Sequence, residues 1–485
     1  MEWLDRLVDF WPHIVGVLTL FIAIVTSSHA ILHKRDSRAA ALWVLFIWAV
    51  PLVGPVFYLL LGINRIRRWA ISMREAAERS ASPPEAVANA PAATSDVLPV
   101  PAAHLRTMTE LVGRVVGRPL IPGNHIEPLV NGDAAYPAML AAIQAATRSI
   151  SLVTYIFDND RSGRRFVDAL GEAVRRGVQV RVLIDDAGAR YSLPSIVHLL
   201  RRARVRVARF LPTLAPWRLM TMNLRNHRKI MVVDGRVGFT GGMNLREGNL
   251  VAQNPRSPVQ DLHFRLDGPV VAQLQEIFAA DWAFTTKEVL TGEDWFPNLS
   301  PKGTVIARGI PDGPDEDFEK LRLTILGALA CAETSVQILT PYFVPDPAIV
   351  SALNVAALRG VRVEILLPGR NNLPIVHWAS RAMWWQVLQR GCRIWLTPPP
   401  FDHSKLMLVD GQWTLLGSAN WDARSLRLNF EFNLECYDRE LASRLEGLLR
   451  QKLAGATEIT LEEIDSRGLP ARLRDGSARL LTPYL

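Results

Sequence analysis

Two histidines, His227 and His403, each open the same pattern: histidine, any residue, lysine, four residues, aspartate. The first copy carries Lys229 and Asp234, the second Lys405 and Asp410. Asn244 follows His227 by 17 residues and Asn420 follows His403 by 17. Each asparagine closes a small-residue turn, Gly241-Gly242-Met243-Asn244 and Gly417-Ser418-Ala419-Asn420. On a strand, side chains two apart share a face, so each histidine and its lysine point the same way. The apolar residues that follow, Met231 to Val233 and Leu406 to Val409, bury the strand, and the turn returns an amide and main-chain N–H groups to the same point. Doubled around one centre, the pattern supplies two imidazoles, two ammonium groups and two amides. That set suits a phosphodiester: cations and donors hold the non-bridging oxygens while the imidazoles work on opposite sides of phosphorus. A single His-x-Lys is usually a solvated strand edge. Two copies at matched positions reverse that balance. A degenerate, inactive repeat pair is disfavoured because His, Lys, Asp and Asn are all present in both.

The elements that must position these groups form an internal repeat. Arg176-Gly177-Val178-Gln179-Val180-Arg181-Val182-Leu183-Ile184 matches Arg359-Gly360-Val361-Arg362-Val363-Glu364-Ile365-Leu366-Leu367, and each reads as a helix, a glycine stop and a buried strand. Upstream, Thr154 to Phe157 corresponds to Thr340 to Phe343; downstream, His227 to Gly235 corresponds to His403 to Gly411. Strands and helices alternate in each half. The expected fold is α/β: two homologous α/β sandwich repeats packed as a pseudo-dimer on a largely parallel or mixed sheet, about 104–300 and 301–485. Gly238 to Gly242 is no dinucleotide fingerprint, because it does not open a βαβ unit. Asp185 and Asp186, adjacent at a strand end, point to opposite faces and read as a loop start and rim contact. His377 reads as packed or surface.

Ahead of the repeats lie two uncharged runs, Phe10 to Leu32 and Ala39 to Ile63, each long enough to cross a hydrocarbon core of ~30 Å. A signal peptide is the alternative for the first, disfavoured by the second run close behind. His13, Thr26, Ser27, Ser28 and His29 make the first the weaker span, while Pro51, Gly54 and Pro55 should kink or break the second, with a re-entrant seat as the alternative there. Residues 1–75 are thus a membrane-anchoring segment of two apolar helices, and 76–103, rich in Ala, Pro and Ser, a linker. Five arginines on the outer flanks (Arg6, Arg65, Arg67, Arg68, Arg74) against Lys34, Arg35 and Arg38 between the runs favour a cytoplasmic body. The 485 residues carry a net charge of +8, which favours anionic partners: nucleic acid, anionic lipid or phosphate esters. Three cysteines, Cys331, Cys392 and Cys436, form neither a paired framework nor a metal-ligand spacing.

The doubled His-x-Lys-x4-Asp motif resembles that of the phospholipase D superfamily. The two N-terminal runs, with Ala41-Leu42-Trp43, Pro51-Leu52-Val53-Gly54-Pro55 and Tyr58-Leu59-Leu60-Leu61-Gly62, and the C-terminal Arg479-Leu480-Leu481-Thr482-Pro483 are similar to the bacterial cardiolipin synthases of that superfamily. The resemblance covers nearly the whole chain except the linker. It implies a phosphatidyltransferase of the inner (cytoplasmic) membrane that moves a phosphatidyl group from one phosphatidylglycerol to another through a phosphatidyl-histidine, with no cofactor and no metal. By that analogy His227 is the nucleophile and His403 the acid and base; Lys229, Lys405, Asn244 and Asn420 hold phosphoryl oxygens; Asp261 and Glu431 orient the imidazoles. Asp234 and Asp410 complete the motif in a structural capacity. If water is the acceptor, the enzyme is instead a phosphodiesterase; nucleic acid as its substrate is disfavoured by the apolar runs. A non-catalytic anionic-lipid scaffold is the alternative of another class, disfavoured by the complete double motif. Leu214 to Met222, and Trp378, Trp384 and Trp385, are candidates for an apolar lining, with ordinary core favoured for the tryptophans; Arg218 and Arg225 are candidates for head-group contact, a solvated basic face being the alternative.

Overall fold

The structure is a computed structural model and describes residues 2–34, 37–59, 104–212, 224–315 and 317–482. The expected linker, Leu214 to Met222 with Arg218, and Pro483 lie outside the described residues. The chain divides into an N-terminal unit, Met1–Trp69, and a body, Ala70–Leu485.

The N-terminal unit reverses the expected ranking of its two apolar runs. Glu2–His33 is one continuous helix, and its stretch His13–His33 is long and apolar enough to cross a membrane. Two of its polar residues are satisfied internally: Thr26 Oγ1 donates to the Ile22 carbonyl at 2.7 Å, and His29 Nδ1 meets the Tyr58 hydroxyl at 2.8 Å. The second run breaks, as its prolines require. Ser37–Ala49 ends before Pro51, and the short helix Val53–Phe57 follows among the described residues. Thirteen helical residues extend roughly 20 Å, short of a hydrocarbon core.

In the body each half builds three parallel strands with helical crossovers: Ser149–Thr154, Gln179–Asp185 and Arg206–Phe210 in the first, Ser335–Leu339, Arg362–Pro368 and Arg393–Thr397 in the second. Asp160 caps the crossover helix Arg161–Arg175 through the Gly163 N–H, and Asp346 caps Pro347–Leu358 through Ala348 and Ile349. The stops anticipated at Gly177 and Gly360 have φ of +90° and +91°, a conformation that glycine adopts without a Cβ clash. A hairpin then adds antiparallel strands to each half, Ile230–Val233 with Val237–Gly241 and Leu406–Val409 with Trp413–Gly417. Leu262–Asp267 and Asn429–Tyr437 extend these sheets, and Ile121–Val130 pairs antiparallel with Val305–Asp312 where the halves meet. One mixed sheet therefore runs through both repeats, the α/β architecture expected.

Helices Val271–Thr286 and Arg439–Ala454 cover a core that both halves share: Leu274, Phe278 and Trp282 bury with Phe264, and Leu441, Leu445 and Leu449 with Phe432 and Leu434. Helix Arg106–Val116 comes first in the body's chain order but packs on the second half. Its Leu105, Met108, Val112 and Val116 share a core with Ile325, Ala328 and Leu329. Each such burial contributes about 1.5–3 kcal/mol. Arg308 Nη2 donates to the Thr109 carbonyl at 3.0 Å, fixing the same seam.

Asp234 and Asp410 serve this framework. Asp234 accepts the main-chain N–H groups of Thr147, Arg148 and Ser149; Asp410 accepts those of Glu333, Thr334 and Ser335, and meets His104 Nε2 at 2.9 Å. Burial works against their charge, but these N–H groups outweigh it and hold both carboxyls below their ordinary pKa. Asp234→Asn and Asp410→Asn are each expected to lose about 1–3 kcal/mol at pH 7. A carboxylate with a depressed folded pKa stabilises above its unfolded value of about 4, and that contribution is lost as pH falls through the folded value. Thermal melts of parent and variants should therefore separate at pH 7 and converge below about pH 4. An unchanged gap at low pH would show that the charge is not what holds these turns.

Candidate active site

Both histidines stand just before a fully buried strand, His227 before Ile230–Val233 and His403 before Leu406–Val409. What aims them is main chain from the opposite half. Arg225–Asn226 pairs in parallel with Asn429–Phe430, and Phe401–Asp402 pairs in parallel with Val259–Gln260. The His227 N–H donates to the Phe430 carbonyl at 2.9 Å, and the His403 N–H to the Gln260 carbonyl at 2.8 Å. The next residue along each partner segment is a carboxylate. His227 Nδ1 consequently lies 3.0 Å from Glu431, and His403 Nδ1 lies 2.9 Å from Asp261. Each imidazole is oriented by the other repeat. The two rings face one cavity of about 540 Å³, their centroids 6.5 Å apart and their planes at 79°.

Asn244 and Asn420 line that cavity with the histidines. Asn244 Oδ1 accepts the Ile156 N–H at 3.1 Å, which leaves its NH2 group to donate. Asn420 Oδ1 is buried without a hydrogen-bond partner among the described residues. Lys229 and Lys405 are set further back than expected. Both are buried, neither lines the cavity, and each ammonium donates to the carbonyl of its own histidine, Lys229 at 2.6 Å. The Tyr155 ring lies 5.1 Å from the His227 ring and 5.7 Å from Lys229 Nζ.

The two carboxylates differ in support. Glu431 accepts the Ser418 hydroxyl at 2.5 Å and the Asn429 side-chain amide at 3.2 Å. Burial raises its pKa, but His227, Lys229 and the Ser418 hydroxyl outweigh that and hold it below the ordinary value. The residue matching Ser418 in the first repeat is Gly242. A Cβ there would fall 2.3 Å from Asp261 Oδ1, so a serine would have to displace that carboxylate. Asp261 is left with the Leu262 N–H at 2.8 Å. Burial pushes it up to about 7, with Lys405 opposing and Asp402 adding to the rise. His227 is pulled down to about 4 by burial, against the attraction of Glu431, and burial, followed by Lys405 and Lys229, holds His403 well below its ordinary value. Burial also lowers Lys229 to about 7 and Lys405 to about 8. His227 is thus a neutral imidazole near pH 7. An ionised Glu431 only accepts hydrogen bonds, so Nδ1 carries the proton and Nε2 a lone pair.

The remaining expected positions divide. Arg225 does line the cavity, joined by Arg246, Arg424, Asp422 and Tyr342, which the repeat did not single out. Arg246 and Asp422 each lie two residues past a motif asparagine, but they differ in charge, so repeat matching missed them. The tryptophans do not line it: Trp384 is core, Arg474 covers Trp378, and Trp385 is exposed. Leu373 and Val376, at the start of the same helix, form apolar wall instead. Asp185 is no rim contact. It is buried, accepts the Ala187, Gly188 and Asn226 N–H groups, and lies 4.0 Å from Arg225, while Asp186 turns to Arg190 and Arg209.

Comparison with known proteins places this geometry. The family described as "Cardiolipin synthase, PLD-like domain" matches residues 139–282 and 325–453, and "Phospholipase D-nuclease N-terminal" matches 17–62. Cardiolipin synthase A of Pseudomonas fluorescens is 35% identical over 488 residues, covering 98% of this chain and 99% of its own. The cardiolipin synthase of Geobacillus kaustophilus is 32% identical, covering 100% of this chain and 95% of its own. Among solved structures, phosphatidylserine synthase of Haemophilus influenzae superposes with a TM-score of 0.59 at 16% identity, over 78% of this chain and 100% of that one, a likeness of fold. With both repeats, the N-terminal module and nearly every residue matched, the chain is a membrane-anchored phosphatidyltransferase belonging to the cardiolipin synthase family of the phospholipase D superfamily.

Proposed function

We propose that the chain transfers the phosphatidyl group of one phosphatidylglycerol to the head-group glycerol of a second, yielding cardiolipin and free glycerol through a phosphatidyl-histidine. The observation that carries this reading is the pair of imidazoles 6.5 Å apart on one cavity, each backed by a carboxylate of the opposite repeat. The spacing leaves room for one phosphorus between them. His227 is the nucleophile: Nε2 attacks phosphorus, the phosphorus–oxygen bond to the leaving glycerol breaks, and ionised Glu431 stabilises the positive charge that grows on the ring.

His403 and Asp261 act as a proton-holding pair. With Asp261 protonated and donating to His403 Nδ1, His403 Nε2 carries a hydrogen that it gives to the departing alkoxide, while Nδ1 takes the Asp261 proton. The incoming hydroxyl reverses both transfers as its oxygen displaces His227. Two carboxyl groups pushed apart in pKa, one ionised and one titrating near 7, divide the roles that the symmetric sequence motif leaves equal. Asn244 and Asn420 hold the non-bridging oxygens, with Lys229 and Lys405 supplying positive charge from behind. The same reading puts the protein in the inner (cytoplasmic) membrane with its body on the cytoplasmic side, supported by the basic outer flanks.

Purified full-length protein given labelled phosphatidylglycerol in detergent should release glycerol and form cardiolipin. Phosphatidic acid as the main product would make it a hydrolase, and no product would leave only lipid binding. His227→Ala and His403→Ala should each lower turnover by at least about 10³-fold. In single turnovers with acyl-labelled lipid, His403→Ala should still accumulate label on the protein and His227→Ala should not. The opposite pattern would exchange their roles.

The rate should fall on both sides of a plateau. Below about pH 4 His227 is protonated and loses its lone pair; above about pH 7 Asp261 loses the proton that feeds His403. Asp261→Asn should remove the alkaline limb of kcat/KM and lower its maximum about 10–100-fold. A limb that survives the substitution would belong to Lys229, which also titrates near 7.

A further inference from the structure

In each repeat the loop after the second parallel strand carries Leu-Pro immediately ahead of a helix. Leu193-Pro194 precedes Ile196–Arg202, and Leu373-Pro374 opens Pro374–Arg381. Both loops sit at the mouth of the shared cavity, for Tyr191 and Leu373 are among its walls. Both push large apolar groups outward. Leu193 is 89% exposed, Tyr191 63%, Leu373 47% and Ile375 44%. Isolated exposed leucines need no explanation, but a matched set on either side of one opening is not demanded by packing.

These loops are built rather than loose. Asn159 donates from its main chain to Ser192 Oγ at 2.8 Å and from its side chain to the Pro194 carbonyl at 2.9 Å, holding Leu193 out. Asn371 donates to the Pro341 carbonyl at 3.0 Å and Asn372 accepts the Tyr342 hydroxyl at 2.8 Å, doing the same for Leu373. The surroundings are basic: Arg225, Arg246 and Arg424 line the cavity, and exposed Arg370 and Arg427 lie in loops that border it. Polar and cationic inside, apolar along the Leu373–Val376–Phe401 wall, and apolar again at the lip, the opening is graded like a phospholipid from phosphate to acyl chain.

We propose that the Tyr191–Leu193 and Leu373–Ile375 loops together dip into the interface of a bilayer containing anionic lipid, so that the cavity opens into the head-group layer. Donor and acceptor lipids then slide in along the apolar wall without leaving the membrane, and bulk water is kept from the phosphorus. The inference rests on the reading that the substrates are membrane phospholipids.

The test uses the full chain in nanodiscs of phosphatidylglycerol and phosphatidylethanolamine. An environment-sensitive fluorophore is placed on Leu193→Cys, on Ile375→Cys and, as a control at the far end of the strands, on Arg201→Cys. Labels at 193 and 375 should be blue-shifted and quenched by lipids spin-labelled near the head group, and the label at 201 should not. Unquenched labels at both loops would overturn the proposal. So would a blue shift already present in detergent that grows with protein concentration, which marks a second copy of the chain as the occupant. Leu193→Asp combined with Ile375→Asp should lower turnover of phosphatidylglycerol in nanodiscs about tenfold and leave turnover of dispersed short-chain phosphatidylglycerol unchanged. Equal loss on both substrates, or no loss on either, would overturn it. Because quenching does not require turnover, an inactive protein with quenched labels would refute the transferase reading alone. An active protein with unquenched labels would refute the membrane seat alone.

Discussion

The crossed pairing of histidine and carboxylate is the constraint on which the rest of the body depends. Glu431 belongs to the second repeat and serves His227; Asp261 belongs to the first and serves His403. Neither repeat can orient its own imidazole. Two-residue parallel strands bring each carboxylate across, and these exist only when the halves are docked. The continuous sheet, the shared core beneath Val271–Thr286 and Arg439–Ala454, and the seam from Thr109 to Arg308 all fix that docking. The placement of the two rings thus rests on burial spread through the whole body.

The repeats are alike in main chain and unlike in charge. A hydroxyl at Ser418 supports one carboxylate, and its counterpart Gly242 leaves the other with a main-chain donor and a close Cα. The Gly242/Ser418 difference, one of two in that turn, gives the two carboxylates different support. Arg228 and Ser404, the middle residues of the two motifs, differ as strongly: Arg228 is wholly buried, donating to the Glu431 carbonyl and pairing with Asp281 at 2.5 Å. Functional asymmetry here is written in the neighbours of the repeated residues.

What could be read from the chain alone follows from this. His227, His403, Asn244 and Asn420 are legible because duplication prints them twice at one spacing, and Val182 to Ile184 because buried parallel strands are continuous apolar runs. Asp261 and Glu431 could be located, but their crossing could not, since it is set by main-chain pairing between residues 142 and 204 apart in sequence. The lysines were placed on the cavity wall because alternation gives a face but not a depth. Arg246, Arg424 and Tyr155 have no counterpart of the same kind in the other half, so repeat matching passes over them. The polar residues of the first apolar run misled for another reason: hydropathy counts a hydroxyl as wet, whereas Thr26 spends its hydrogen on its own helix.

Helix Arg106–Val116 has a consequence for how the body comes to exist. A ribosome releases its apolar stripe, Leu105, Met108, Val112 and Val116, roughly two hundred residues before Ile325 and Leu329, against which the stripe finally rests. Throughout that interval this stripe has no home within the half it precedes. The nascent chain must therefore keep a sticky segment waiting, and the second repeat, when it emerges, completes its core by reaching back for that helix.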